Sequence, residues 1–211
     1  MLGNLTTSSR RSGGASSETR GIRFGGMNPG RMNVIDFITI ASVGNSTDFG
    51  DMTAATADSA GLSSPTRGII GGGSAPGNVN VIEFITIAAA GNATDFGDLT
   101  EARRYLSGCS SSTRGVFYSG MQPNASAVID YITIASAGNA TDFGDPGTTT
   151  PDDSYGCGAS NNIRGLFAGR NGSALVEKIT IASTGNGATF GDLSVTRNNL
   201  SGNSNGHGGL S

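Results

Sequence analysis

Four times along the chain an almost unbroken apolar run closes on the letters ITIA. The runs begin near Val34, Val81, Val128 and Val176, and the ITIA cores start at Ile38, Ile85, Ile132 and Ile179, each 47 residues after the last. The same step links Gly44 to Gly91, Gly138 and Gly185, Phe49 to Phe96, Phe143 and Phe190, and Asp51 to Asp98, Asp145 and Asp192. Runs of Val, Ile, Tyr and Thr bounded by glycine predict β-strands. Their nearly continuous apolar character, rather than strict alternation, predicts strands covered on both faces. Helical periodicity is missing, and glycine or proline interrupts every few residues.

The period divides the chain into units 4–50, 51–97, 98–144 and 145–191, with a partial unit 192–211, all within one domain, 1–211. The third unit shows the pattern most clearly. DLTEAR is a polar connector and YLSGCSSS a first strand of small residues, whose Gly108 recurs as Gly14, Gly61 and Gly202. A strand of small residues suits a crowded centre where backbones approach closely. TRGVFYSG is a second strand, followed by a loop that varies between units. VIDYITIAS is the third and strongest strand, GNA a turn in which the Asn side chain bonds nearby backbone, and TDFGDL a short fourth strand. The opening MLGN stands in phase with DFGD at 48–51. The fourth unit is irregular: it carries the insertion DPGTTTPDD, Asp130 is matched by Lys178, and Asp142 by Thr189.

Four short strands per unit, repeated radially, is the propeller solution to burying β-faces and protecting edges. The expectation is an all-β propeller of four-stranded blades: four full blades plus a half-blade from the tail, in a five-bladed ring. The unit resembles the kelch repeat. A basic residue (Arg103) precedes a small first strand, a second strand ends in double glycine (Gly25-Gly26, Gly72-Gly73), and an aromatic follows in the third (Phe37, Phe84, Tyr131). Phe49, Phe96, Phe143 and Phe190 stand where kelch repeats carry a fourth-strand tryptophan. More narrowly, ITIASxGNATDFGDL is similar to repeats in structural proteins of marine phages, particularly cyanophages. That resemblance implies a virion location and a non-enzymatic structural or adhesive role as tail fibre, appendage or capsid decoration. The outer strands missing from the half-blade leave an exposed edge, expected to be covered by a copy of the chain itself, in a homo-oligomer, or by another virion protein, with a host-surface receptor or glycan as a candidate target. A free multivalent carbohydrate-binding propeller is the alternative.

Composition narrows the chemistry. The net charge is -3 and charged residues make up 14% of the chain, so there is no electrostatic footprint for nucleic acid. Arg10, Arg11, Arg20, Arg23 and Arg31 crowd the first 31 residues and read as a solvated face. No apolar run approaches the ~20 residues of a membrane span, and the N-terminal stretch lacks a signal peptide's apolar core. Cys109 and Cys157 read as small strand residues rather than a bridge. The acids around each Phe-Gly (Asp48 and Asp51, Asp95 and Asp98, Asp142 and Asp145) lack the ladder of a calcium loop. They read as turn caps or as partners of the recurring Arg20, Arg67, Arg114 and Arg164, so no metal or cofactor is expected. Thr39, Thr86, Thr133 and Thr180 read as cross-strand hydroxyl donors. The one histidine, His207, lies in the glycine-rich tail with no orienting partner, and no catalytic residue is expected.

Variable loops on a rigid scaffold are where binding tends to sit. The candidate contact residues are therefore Met27, Asn28 and Pro29 in the first unit, and Ala75 and Pro76 in the second. Gln122, Pro123 and Asn124 follow in the third, and Asn171 in the fourth, with Asp152 and Asp153 in its insertion.

Overall fold

A computed structural model describes residues 3–148, 156–170, 172–197 and 199–202. Asp152, Asp153, Asn171 and His207 lie outside them. The described chain contains no helix and forms four four-stranded antiparallel sheets, one per unit. Sheet 1 holds β1 (Gly13–Ser16), β2 (Arg20–Phe24), β3 (Met32–Thr39) and β4 (Thr47–Thr56). Sheet 2 holds β5 (Ala60–Ser63) and β6 (Arg67–Gly71), then, after a small ribbon of β7 (Ser74–Ala75) and β8 (Gly77–Asn78), β9 (Val81–Thr86) and β10 (Thr94–Asp98). Sheet 3 repeats this with β11 (Ser107–Ser110), β12 (Arg114–Tyr118), the ribbon β13 (Met121–Gln122) and β14 (Asn124–Ala125), β15 (Ile129–Thr133) and β16 (Thr141–Gly144). Sheet 4 is β17 (Cys157–Ser160), β18 (Arg164–Ala168), β19 (Leu175–Thr180) and β20 (Ala188–Asp192). Each sheet is a simple meander, so every strand pairs with its predecessor in the same unit.

The sheets stack through three apolar cores, each made by two neighbours. Ile22, Phe24, Ile35 and Phe49 of sheet 1 meet Ile70, Ile85 and Ile87 of sheet 2. Leu62, Ile69, Ile82 and Phe96 meet Phe117, Ile132 and Ile134. Cys109, Val116, Ile129 and Phe143 meet Phe167, Ile179 and Ile181. Burial of apolar area is worth about 25 cal/mol per Å². A single thin sheet has only half of such a core, so neighbouring sheets stabilise each other.

A bulge aims Phe49, Phe96 and Phe143 of the fourth strands into the cores. Gly50 pairs with Ile35 and Asp48 with Asp36, so Phe49 is the extra residue; β10 and β16 break register in the same way. The glycine after it takes φ near +142° (Gly50, Gly97, Gly144), a region that disfavours side chains.

The first strands of successive sheets lie side by side around a cavity of about 670 Å³, lined by their glycines and serines. A Cβ on Gly61 would overlap the Gly14 backbone, one on Gly108 would come 2.8 Å from the Gly61 carbonyl, and one on Gly158 would overlap the Gly108 carbonyl. The serines two positions on stitch the same strands. Ser110 Oγ donates to the Ser63 carbonyl (2.7 Å) and Ser160 Oγ to the Ser110 carbonyl (2.8 Å). The small first strand predicted for a crowded centre is therefore present. The ladder continues past sheet 4: Leu200 packs on Gly169 as Leu106 packs on Gly72, and a Cβ on Gly202 would overlap the Gly158 carbonyl. Among the described residues the four sheets do not close on one another.

Candidate functional site

The junction between neighbouring sheets is built from the same parts three times. Arg20 lies over the Phe37 ring (4.5 Å) and donates from Nη1 to the Ile87 carbonyl of the next sheet (2.7 Å). Arg67 does so over Phe84 to Ile134, and Arg114 over Tyr131 to Ile181, at 2.8 and 2.9 Å. These arginines therefore do not pair with the Phe-Gly acids. Asp51, Asp98 and Asp145 instead donate their backbone N–H to Oδ1 of Asn92, Asn139 and Asn186 in the next sheet's turn. The turn asparagine bonds a neighbouring sheet rather than its own turn. Its flanking residues add backbone bonds, such as Gly91 N–H to the Phe49 carbonyl and Ala93 N–H to the Asp51 carbonyl. Gly3 to Thr6 imitate this arrangement on sheet 1, where Asn4 N–H donates to Asn45 Oδ1 at 2.9 Å. The in-phase opening of the chain thus occupies the place of a preceding fourth strand.

At the two ends of the stack the same parts lie open. Ile85, Ile132 and Ile179 are 2–4% exposed, but their counterpart Ile38 is 45% exposed. Ile87, Ile134 and Ile181 are 1% exposed against 54% for Ile40. At the far end, Phe49, Phe96 and Phe143 are buried while Phe190 is 50% exposed, and Ile163 is exposed as well. A Cβ on Gly50, Gly97 or Gly144 would strike the next sheet's turn, whereas Gly191 has nothing near it. Sheet 1 thus leaves open the apolar part of the receiving half of an inter-sheet junction, its turn being held by Gly3 to Thr6, and sheet 4 leaves open the outer part of the giving half.

The predicted contact loops form a linked rim. Met27 bridges Arg10 and Arg31, and Asn28 Nδ2 donates to the Ser8 carbonyl and hydroxyl. Ala75 and Pro76 sit on the β7–β8 ribbon, and Gln122, Pro123 and Asn124 on β13–β14. Arg31 donates to Ser74 Oγ (3.3 Å), and Asn78 Nδ2 to the Met121 carbonyl (3.0 Å), so each loop is tied to the next. Pro29, Pro76 and Pro123 are exposed, one unit apart, a period the variable letters around them conceal.

Several sequence expectations need correction. Thr39, Thr86, Thr133 and Thr180 end their strands, exposed; the hydroxyl bonding between sheets belongs to the serines. The N-terminal arginines are not simply a solvated face. Arg23 pairs with buried Asp36, Arg11 reaches Asp58 at 3.6 Å, and Arg20 bridges sheets. Glu177, not Lys178, holds the place of Asp130, and Lys178 holds that of Tyr131.

Asp36, Glu83, Asp130 and Glu177 form a buried acidic series that the surrounding Ile and Phe concealed. Arg103 pairs with Asp130 at 2.9 Å and Arg170 with Glu177 at 3.0 Å. Burial lowers the pKa of the Arg103 guanidinium, against the opposing pull of Asp130 and Glu101. Burial also raises the thiol pKa of Cys109 and Cys157, and both are free thiols. Among the described residues no three His, Cys, Asp or Glu side chains come together in a way that could hold a metal ion. No protein-family model matches the chain, and comparison with curated proteins finds no match.

Proposed function

We propose that the chain is a non-enzymatic structural or adhesive component of a phage virion, a scaffold for protein–protein or receptor contacts. In this reading the four sheets are blades of a kelch-like propeller, and Leu200 to Gly202 begin a fifth blade in register. The observation that carries the scaffold is the pair of matched open faces, Ile38 and Ile40 at one end and Phe190 at the other. They fit the missing part of a further sheet of the same kind, supplied between Gly3 to Thr6 and Leu200 to Gly202 by a second copy or by another particle protein. The linked rim around Pro29, Pro76 and Pro123 offers a second, continuous contact surface. The virion assignment rests on the repeat wording alone.

The test compares the wild type with Ile38→Glu/Phe190→Glu. Both charges fall on exposed positions, so far-UV circular dichroism and Tm stay close to wild type. The wild type is expected to associate with itself or with proteins of the purified particle in sedimentation, and the double variant to lose that association. A wild type that stays monomeric, binds no particle protein and recognises glycans on an array through one equivalent site per sheet would replace this reading with the lectin.

A further inference from the structure

We propose that a cavity beside Glu83 in sheet 2 is a binding site for a guanidinium group. The four acids one unit apart, Asp36, Glu83, Asp130 and Glu177, are 0–4% exposed. Three of them face a guanidinium, and each guanidinium arrives from a different place in its unit. Arg23 comes from β2, Arg103 from the connector before β11, and Arg170 from just after β18. Three separate solutions to one problem indicate that this site needs a cation, because a buried carboxylate without one is strongly unfavourable.

Glu83 has no such partner among the described residues. Its Oε1 accepts the Thr53 N–H at 2.7 Å, and no basic side chain reaches it. A cavity of about 50 Å³ lies against it, lined by Met52, Thr53, Thr56, Ile70 and Val79 among others. A water-sized occupant takes about 10–15 Å³ on this measure, so the space suits a group of a few heavy atoms. Thr56 stands one unit before Arg103, and Ile70 one unit before Phe117, whose carbonyl accepts from Arg103 Nη2 at 3.4 Å. The cavity therefore occupies the place filled by the Arg103 head group in sheet 3. Thr56 is 7% exposed and its Oγ1 has no partner, so a buried acceptor stands beside the carboxylate. A planar cation with several donors matches both. The group is supplied by a free alkylguanidine or by the tip of a partner's arginine.

The test follows Tm by circular dichroism in methylguanidinium chloride at low millimolar concentration, with sodium and potassium chloride at equal ionic strength. The wild type is expected to rise by about 3–6 °C, the shift that corresponds to a tenfold gain in folding equilibrium. Glu83→Gln keeps the shape and removes the charge, and is expected not to respond. Thr56→Arg supplies the group covalently; it is expected to raise Tm on its own and to abolish the response. Gly-Arg-Gly in place of methylguanidinium separates the two sources: a response to both admits a partner's arginine, and a response to methylguanidinium alone restricts the site to small guanidines. An equal response in Glu83→Gln, an equal rise in potassium chloride, or no rise in the wild type would each overturn the proposal. If Thr56→Arg fails to fold, the comparison of wild type with Glu83→Gln still decides.

Discussion

At the residue scale, the axis depends on the missing side chains of Gly61, Gly108 and Gly158. Each is closed in by the backbone of the sheet before it, which cannot retreat as a flexible side chain would. Gly61→Ala and Gly158→Ala are expected to lower Tm sharply, in the range of overpacked cores at about 1–3 kcal/mol or more. Gly30→Ala, in open space, is expected to leave Tm unchanged. Cys109 makes a second prediction. Burial raises its thiol pKa in the folded chain, whereas the unfolded thiol ionises near pH 8.5. The neutral thiol is thus favoured by folding, and this contribution is present below about pH 8.5 and falls away as pH rises above it. Tm measured from pH 7 to 10 is expected to decline more steeply in the wild type than in Cys109→Ala. Cys109 is also expected to resist alkylation until the protein is denatured.

At the scale of elements, the repeat in the sequence tells which positions are equivalent, and the strands follow from it. What the repeat does not reveal is which neighbour an equivalent position touches. Arg20 finds its acceptor 67 residues away and Asp51 its turn asparagine 41 residues away, and neither offset is the 47-residue period. The letters mark Arg20 and Asp51 as recurrent and leave open whether the acids cap turns or pair with the arginines; the partners lie in the next sheet and only its position decides. Asp36 and its counterparts are hidden differently: an acid within an Ile-rich strand looks like a solvent-facing position until its burial is known. The loop positions Asn28, Pro76 and Pro123 were legible as exposed and variable, but their mutual ties required coordinates. The bridging arginines carry a prediction of their own. Arg114→Ala removes a cation–π contact and the hydrogen bond to the Ile181 carbonyl, and is expected to cost about 1–2 kcal/mol in chemical denaturation.

For the molecule as a whole, each interior sheet shares a core with both neighbours, and the end sheets share one. Phenylalanines alike in sequence should therefore differ in energy. Phe143→Ala, between sheets 3 and 4, is expected to cost about 3–5 kcal/mol. Phe190→Ala, on the open face, is expected to cost about 0.5 kcal/mol in the isolated protein, and more once that face is covered. Denaturant titration of both variants, alone and in association, reads the difference directly.

The junctions also bear on how such a chain tolerates changes in length. Because every junction uses the same arginine, the same turn asparagine and the same axial glycine, excision of residues 98–144 would bring Gly61 against Gly158 and Arg67 toward the Ile181 carbonyl. Loss of one whole unit leaves each surviving surface a complementary partner, whereas loss of a single residue within β15 inverts a strand. A deletion of residues 98–144 is therefore expected to fold, and a deletion of one residue within β15 is not.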